Sequence, residues 1–187
     1  MISLFWKSFV KDAVTRSVLF RILAEKGTRA MFSIGERICY PMHGIGEITG
    51  IEQRTVLGVD AEYYVLKFDF GRVSAMVPVA TAEKIGLRRL ISREEGETVM
   101  RYIISGVANT EPAPSANWNR RYRENCDRLK SGSIYAIADV YICLAVRQRE
   151  KGLSAGEKKM LSLTRRLLSD ELTSIGCARD AVISAIS

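Results

Sequence analysis

The stretch Gly44-Ile-Gly-Glu-Ile-Thr-Gly-Ile-Glu52 decides the fold of the N-terminal half of the chain. Apolar and polar residues alternate through it, which is typical of a half-buried β-strand and predicts that Ile45, Ile48 and Ile51 lie near a core. The glycine spacing also resembles a dinucleotide-binding fingerprint, but no helix follows the stretch. We therefore interpret the glycines as sites where a strand bends.

Further strand patterns flank this stretch on both sides. Arg37-Ile-Cys-Tyr-Pro41 is a short apolar run closed by proline, and residues 62–68 are rich in aromatic and β-branched residues. Turn residues precede another apolar run at 73–78. Four or five short strands at this spacing predict a small, strongly bent antiparallel β-barrel.

After Pro78 the pattern becomes helical. Ser92-Arg-Glu-Glu95 and Ser154-Ala-Gly-Glu157 are capping boxes that predict helix starts. Ser133 predicts the start of another helix, whose apolar residues share one face: Ile134, Ile137, Ala138, Tyr141 and Leu144. The prolines within 109–116 predict a linker.

The predicted class is α+β, a β-barrel module followed by an all-α bundle. The predicted parts are an extension at 1–30, the β module at 31–91, a connecting helix with linker at 92–116, and a helical domain at 117–187.

The positive charge is concentrated at the two ends of the chain. The net charge is +7, and residues 112–187 hold thirteen Lys and Arg against eight Asp and Glu, whereas residues 31–111 are slightly acidic. We therefore expect a polyanion to bind the C-terminal part.

Residues 1–30 are basic but lack an apolar run that could form a signal peptide or membrane span. We interpret them as an extension upstream of an alternative start at Met31; the alternative is a basic amphipathic helix that contacts a surface.

The motifs of common enzyme classes are missing from the sequence. The four cysteines are far apart without a CxxC pair, and His43 is the sole histidine, so we predict no metal and no cofactor. We expect free thiols in a reducing cytoplasm. No phosphate-binding loop is present. His43, between Pro41 and Gly44, is predicted to be a turn residue, and the chain is predicted not to be an enzyme.

The stretch Asn117-Trp-Asn-Arg-Arg-Tyr-Arg123 is the strongest indication of function. Arginines pair with phosphates, and a flat indole ring can stack on a base or wedge into an opened duplex step. The alternative is that Trp118 is a core residue that anchors its helix while the arginines are solvated. The residues by themselves leave both interpretations open.

Several blocks together resemble one known family. The blocks at 32–46 and 62–68 and Met76-Val-Pro-Val79 resemble the RNA polymerase-interacting domain shared by CarD/CdnL regulators and the transcription-repair coupling factor. The 117–123 stretch, Leu129-Lys-Ser-Gly132 and residues 151–161 resemble the CarD C-terminal helical domain. The resemblance covers about 31–175, in the family's order, and leaves 1–30 outside it.

The resemblance implies a non-catalytic regulator of transcription and assigns roles to specific residues. It implies that a Tudor-like module docks on the β subunit of bacterial RNA polymerase through Arg54 and Met76. Some family members have a basic residue at the position of Met76, so that polar contact is lost here. The helical domain would bind promoter DNA, with Trp118 as a wedge in the minor groove. The DNA-binding side chains would be Arg120, Arg121, Arg123, Lys158 and Lys159.

The implied activity is stabilisation of the promoter open complex by a cytoplasmic monomer, associated with the nucleoid through polymerase and with no membrane partner. A second hypothesis is a DNA-binding architectural or sequence-reading regulator that works without polymerase. The mildly acidic, aromatic-rich β module favours the first hypothesis, because a pure DNA-binding protein would gain nothing from it.

Overall fold

A computed structural model describes residues 31–56, 58–70, 73–109 and 117–186. Within these residues it contains a five-stranded sheet followed by five α-helices. The strands are β1 (Arg37–Tyr40), β2 (Gly44–Val56), β3 (Val59–Phe68), β4 (Ser74–Pro78) and β5 (Arg88–Arg89); the helices are α1 (Arg93–Ser105), α2 (Trp118–Lys130), α3 (Ile134–Glu150), α4 (Ala155–Ser174) and α5 (Arg179–Ala185). The predicted α+β class is confirmed. The extension predicted at 1–30 and most of the linker predicted at 109–116 lie outside the described residues, so these two predictions are not tested.

The sheet is antiparallel with the order β4-β3-β2-β1-β5. Its buried face includes Ile38, Tyr64 and Leu66, all fully inaccessible to solvent. The expected closure into a barrel is not found, because the edge strands β4 and β5 have no pairing with each other in the described residues. Strand β5 has only two residues, and the side chain of Arg88 on it is bound by the helical part instead.

A β-bulge in β2 explains the spacing of the three isoleucines. The pairing of β2 with β3 shifts between Ile48 and Gly50, so one extra residue lies on β2. The extra residue returns Ile51 to the face of Ile48, and both pack in the sheet core. Ile45, three residues before Ile48, is buried on the opposite face beside His43 and Arg166. The predicted burial is confirmed for Ile45 and Ile48, while Ile51 is partly buried.

The helix starts follow the predicted capping residues. Ser92, Ser133 and Ser154 each precede a helix and accept a hydrogen bond from the backbone N–H three residues on. Asn117 caps α2 by accepting from the N–H groups of Asn119 and Arg120. These contacts satisfy backbone donors that a helix end would otherwise leave unpaired. In α4 the capping box is complete, since the Glu157 side chain also accepts from the Ser154 N–H.

The helices bury one common core around α3. The predicted inward face of α3 is confirmed, because its members are all buried: Ile134, Ile137, Ala138, Tyr141 and Leu144. Val99 and Ile103 of α1 pack into the same core. The predicted division between a connecting segment at 92–116 and a helical domain at 117–187 stays a prediction, but α1 contributes to the helical core.

An ion pair between a partly buried arginine and a buried carboxylate joins the sheet to the helices. The Arg88 guanidinium donates to both oxygens of Glu171 on α4, at 2.5 and 2.8 Å, and its Nε–H donates to the Gly132 carbonyl at 2.6 Å. Gly86 lies at this junction with φ +83°, and a Cβ there would be 2.8 Å from Cγ of Pro41. Only glycine fits such an approach in that backbone conformation. The Arg88–Glu171 pair therefore sets the position of α4 against the sheet.

Candidate nucleic-acid interface

Trp118 is the first residue of α2 and lies where the N-termini of α2 and α4 meet. Its side chain is 44% exposed, so it lies outside the hydrophobic core. The indole Nε1–H donates to Ser154 Oγ at 3.0 Å, and the ring stacks on Tyr122 with 5.5 Å between centroids. The indole is thus held at its N–H edge and on one face, which leaves the exposed remainder of the ring available to a ligand.

The three arginines after Trp118 do not share one environment. Arg120 and Arg123 are exposed, and Arg120 pairs with Glu124 one turn away at 2.8 Å. Arg121 is 7% exposed and its Nη2 lies 2.9 Å from Oε1 of Glu157. The expectation that Arg121 holds a phosphate therefore needs correction, because its guanidinium is committed to a buried carboxylate.

The position of Arg121 on its helix explains its burial. Arg121, Asn125 and Leu129 follow each other at four-residue spacing and are the buried residues of α2. Residues four apart lie on the same face of a helix, and Leu129 turns this face toward the helical core. Arg121 is therefore oriented inward, while Arg120 and Arg123 face solvent.

Glu157 connects the first turns of α2 and α4. Its carboxylate accepts hydrogen bonds from the Ser154 N–H at 3.0 Å, the Ser154 hydroxyl at 2.8 Å and the Arg121 guanidinium. Burial raises the pKa of Glu157, but the hydrogen bonds from Ser154 and Arg121 outweigh burial, so the pKa lies below its ordinary value. Arg147 adds a second guanidinium, with Nε 3.5 Å from Glu157 Oε1. The carboxylate is thus ionised at neutral pH.

Exposed basic side chains lie on both helices that meet at the indole ring. The N-terminus of each helix carries partial positive charge, and here two such termini are adjacent. The first turn of α2 contains no acidic residue, and Asn117, Asn119, Arg120 and Arg123 line an open depression of about 500 Å³. Lys158 and Lys159 are exposed in the N-terminal part of α4. The surface can therefore accept anionic groups around the ring.

Arg54 and Met76 lie on one face of the sheet. Arg54 is opposite Ala61 across the β2–β3 pair, and Met76 is opposite Val65 across the β3–β4 pair. Ala61 and Val65 are four residues apart on β3, so all four side chains project from the same face. This face is opposite to the sheet core. Arg54 is exposed and pairs with Glu52 at 2.6 Å, and Met76 is 39% exposed.

The turn before β2 holds His43 in an aromatic stack. Its backbone N–H donates to the Tyr40 carbonyl at 3.1 Å, so the predicted turn position is confirmed. The ring packs against both Tyr40 and Phe68, with centroid distances of 5.0 and 5.5 Å, and these two rings also contact each other. Burial lowers the pKa of His43, and the positive charge of Arg166 lowers it further. The imidazole therefore packs in the structure as a neutral ring.

Sequence reasoning did not assign Ser154 and Glu157 to the candidate site. Both were identified as parts of a capping box, and that signal described only the start of α4. Their contacts with Trp118 and Arg121 span 36 residues of sequence, and no local pattern encodes such a contact. The spacing of Arg121 from Leu129 was a local signal that could have indicated the burial of Arg121.

Comparison with known proteins finds a family match for the sheet part of the chain and another for the helical part. Residues 32–91 match the CarD-like/TRCF RID domain, and residues 103–186 match the CarD C-terminal domain. A Bacillus subtilis (strain 168) protein named "Putative transcription factor YdeB" is 32% identical over 142 residues, which are 76% of this chain and 90% of that protein. The two matches, one over the sheet and one over the helices, indicate a transcription regulator. The chain belongs to the CarD-like family.

None of the helices in the described part of the chain combines the length and apolar character needed to cross a membrane.

Proposed function

We propose that this protein binds the β subunit of bacterial RNA polymerase through its sheet and stabilises the promoter open complex through its helical part. The main support for this proposal is the exposed Trp118, held where the N-termini of α2 and α4 meet, in a chain with both CarD-like domains. In the proposed complex the indole enters the minor groove at the upstream edge of the melted DNA. Expelling the ring would then be part of the barrier to reannealing.

The charged residues around the ring position the protein on the phosphate backbone. We assign this role to Arg120, Arg123, Lys158 and Lys159, which are all exposed. Contacts with phosphates fix orientation but carry little sequence information. Binding to DNA alone is therefore weak and independent of sequence, and the contact with polymerase raises the effective concentration of the helical part at the promoter.

The sheet supplies the proposed contact with polymerase. Arg54 and Met76 lie on the face opposite to the sheet core and expose a guanidinium and a flexible apolar side chain. The Arg88–Glu171 pair holds the sheet against α4, so docking of the sheet also places the N-terminus of α4 and the neighbouring Trp118. Docking of the sheet on polymerase would thus also determine where the Trp118 ring is placed.

Two binding measurements test this proposal against a regulator that works without polymerase. The full chain is titrated against the isolated β lobe of RNA polymerase and, separately, against promoter duplexes of different sequence at several salt concentrations. We expect measurable affinity for the β lobe and weak, steeply salt-dependent binding to every duplex. Tight sequence-specific binding to DNA without affinity for the β lobe would refute the proposal and support the other class of regulator.

A further inference from the structure

The residues that hold Trp118 form a continuous hydrogen-bonded path into the helical core. The indole Nε1–H donates to Ser154 Oγ at 3.0 Å, and the Ser154 hydroxyl donates to Glu157 Oε2 at 2.8 Å. Oε1 of the same carboxylate accepts from Arg121 at 2.9 Å. The exposed ring is thus connected through one hydroxyl to an ion pair whose side chains are 8% and 4% exposed.

We propose that Ser154 and Glu157 are positioning residues that hold the Trp118 indole in the orientation needed for insertion into DNA. This inference rests on the proposed function for its consequence at the promoter, but the orientation itself is a property of the free protein. The carboxylate accepts a hydrogen bond from the Ser154 hydroxyl, which leaves an oxygen lone pair of that hydroxyl directed toward the indole N–H. Neither residue needs to contact the nucleic acid.

Fixing the ring before binding has a direct energetic consequence. A side chain that is mobile in the free protein loses rotational freedom when it is immobilised in a complex, and this loss weakens binding. Trp118 is half exposed, so packing alone restrains it less than it would a core residue. The hydrogen bond to Ser154 and the stack on Tyr122 restrain the ring in advance.

The arginines around Glu157 compensate its charge, so the carboxylate can orient the Ser154 hydroxyl close to DNA. An unpaired carboxylate near the phosphate backbone would repel it. Arg121 pairs with Glu157, and Arg147 Nε lies 3.5 Å from the same oxygen. Glu157 can thus orient the hydroxyl while its charge is compensated. The assignment also gives the buried Arg121 a role: it supports the positioning carboxylate from inside the protein.

A purely structural capping box is the competing explanation, and two substitutions separate it from positioning. Ser154→Gly removes the acceptor of the indole N–H, yet glycine is tolerated at a helix N-cap with only a small loss of stability. Ser92→Gly is the matched control, because Ser92 caps α1 and accepts from the Glu95 N–H at 3.1 Å. Ser154→Thr keeps the hydroxyl and is the conservative replacement.

The first measurement uses the free full-length chain. Trp6→Phe makes Trp118 the single tryptophan, and NMR then follows exchange of the indole Nε1 proton with water. We expect Ser154→Gly to accelerate exchange about 2- to 10-fold, as loss of one net hydrogen bond implies, while Ser92→Gly and Ser154→Thr leave it unchanged. Glu157→Gln, read on samples that a thermal melt shows to be folded, is expected to accelerate it as well. Unchanged exchange in Ser154→Gly would overturn the positioning role.

The second measurement is the lifetime of a promoter open complex formed with the full chain. We expect Ser154→Gly to shorten the lifetime toward that of Trp118→Ala, Ser154→Thr to restore it, and Ser154→Gly to add nothing to Trp118→Ala. A longer lifetime with Ser154→Gly would show that the hydroxyl competes with DNA for the indole N–H and would overturn the inference. If Trp118→Ala leaves the lifetime unchanged, the proposed wedge fails, while the exchange measurement still decides whether Ser154 positions the ring.

Discussion

The Glu171→Ala substitution tests how the sheet and the helices are held together. The Glu171 side chain is 1% exposed and accepts two hydrogen bonds from Arg88, and the backbone N–H of Ile91 donates to Oε1 at 3.3 Å. Alanine removes every one of these acceptors. It leaves the Arg88 guanidinium, whose side chain is 24% exposed, without its carboxylate in a largely dehydrated junction.

Glu171→Ala is expected to lower the free energy of unfolding by a large amount for a single substitution. Removing one partner of a buried ion pair costs about 3–5 kcal/mol, because the remaining charge is left uncompensated. A protein domain of ordinary stability has only about 5–15 kcal/mol in total. The matched control is Glu97→Gln on α1. Its pair with Arg93 has an N–O distance of 3.4 Å between side chains that are 49% and 69% exposed, so we expect a loss of about 0–1 kcal/mol.

Urea denaturation followed by far-UV circular dichroism gives both free energies of unfolding. We expect a single transition in the parent protein, since Arg88–Glu171 couples the sheet to the helices, and a lower midpoint in Glu171→Ala. Equal losses of unfolding free energy for Glu171→Ala and Glu97→Gln would show that burial does not determine how much these ion pairs contribute to stability.

Further predictions concern the polymerase face, the phosphate contacts and the acid stability. Arg54→Glu is expected to weaken binding to the β lobe without lowering the melting temperature, because Arg54 is exposed; equal affinity would remove it from the interface. Arg120→Gln and Arg123→Gln should each reduce the salt dependence of DNA association by about one phosphate contact, measured as the slope of log K against log salt. The lowered pKa of Glu157 means that its contribution to stability is present above about pH 4.5 and is lost as pH falls through the folded-state pKa. Glu157→Gln should therefore flatten the acid side of a stability profile, and an unaltered profile would contradict this assignment.

Local sequence patterns predicted most of the secondary structure. Serine at Ser92, Ser133 and Ser154 marked three helix starts, because the capping hydrogen bond is made within one turn of the same helix. The apolar spacing along α3 likewise identified its buried side. Such features depend on neighbours three or four residues away, and the sequence displays those neighbours directly.

The errors arose where contacts link distant segments. Closure of a barrel depends on whether the two edge strands meet, and the two-residue β5 carries Arg88, whose side chain is bound by Glu171, 83 residues away. The carboxylate that pairs with the buried Arg121 likewise lies 36 residues away, and no local pattern assigned it to this arginine. The resemblance to a family assigned one role to three adjacent arginines, whereas the helical period places Arg121 inside the protein and its two neighbours outside.

The role of Trp118 as a wedge is tested by the Trp118→Ala substitution, with a promoter open-complex decay assay run beside a thermal melt. Loss of the Tyr122 stack and of the Ser154 hydrogen bond should cost about 2 kcal/mol of stability, less than the loss of a core tryptophan. We expect a folded protein with unchanged affinity for the β lobe and an open-complex lifetime shortened about tenfold or more, since unstacking a base step involves a few kcal/mol. An unchanged lifetime per folded molecule would show that Trp118 is not the wedge.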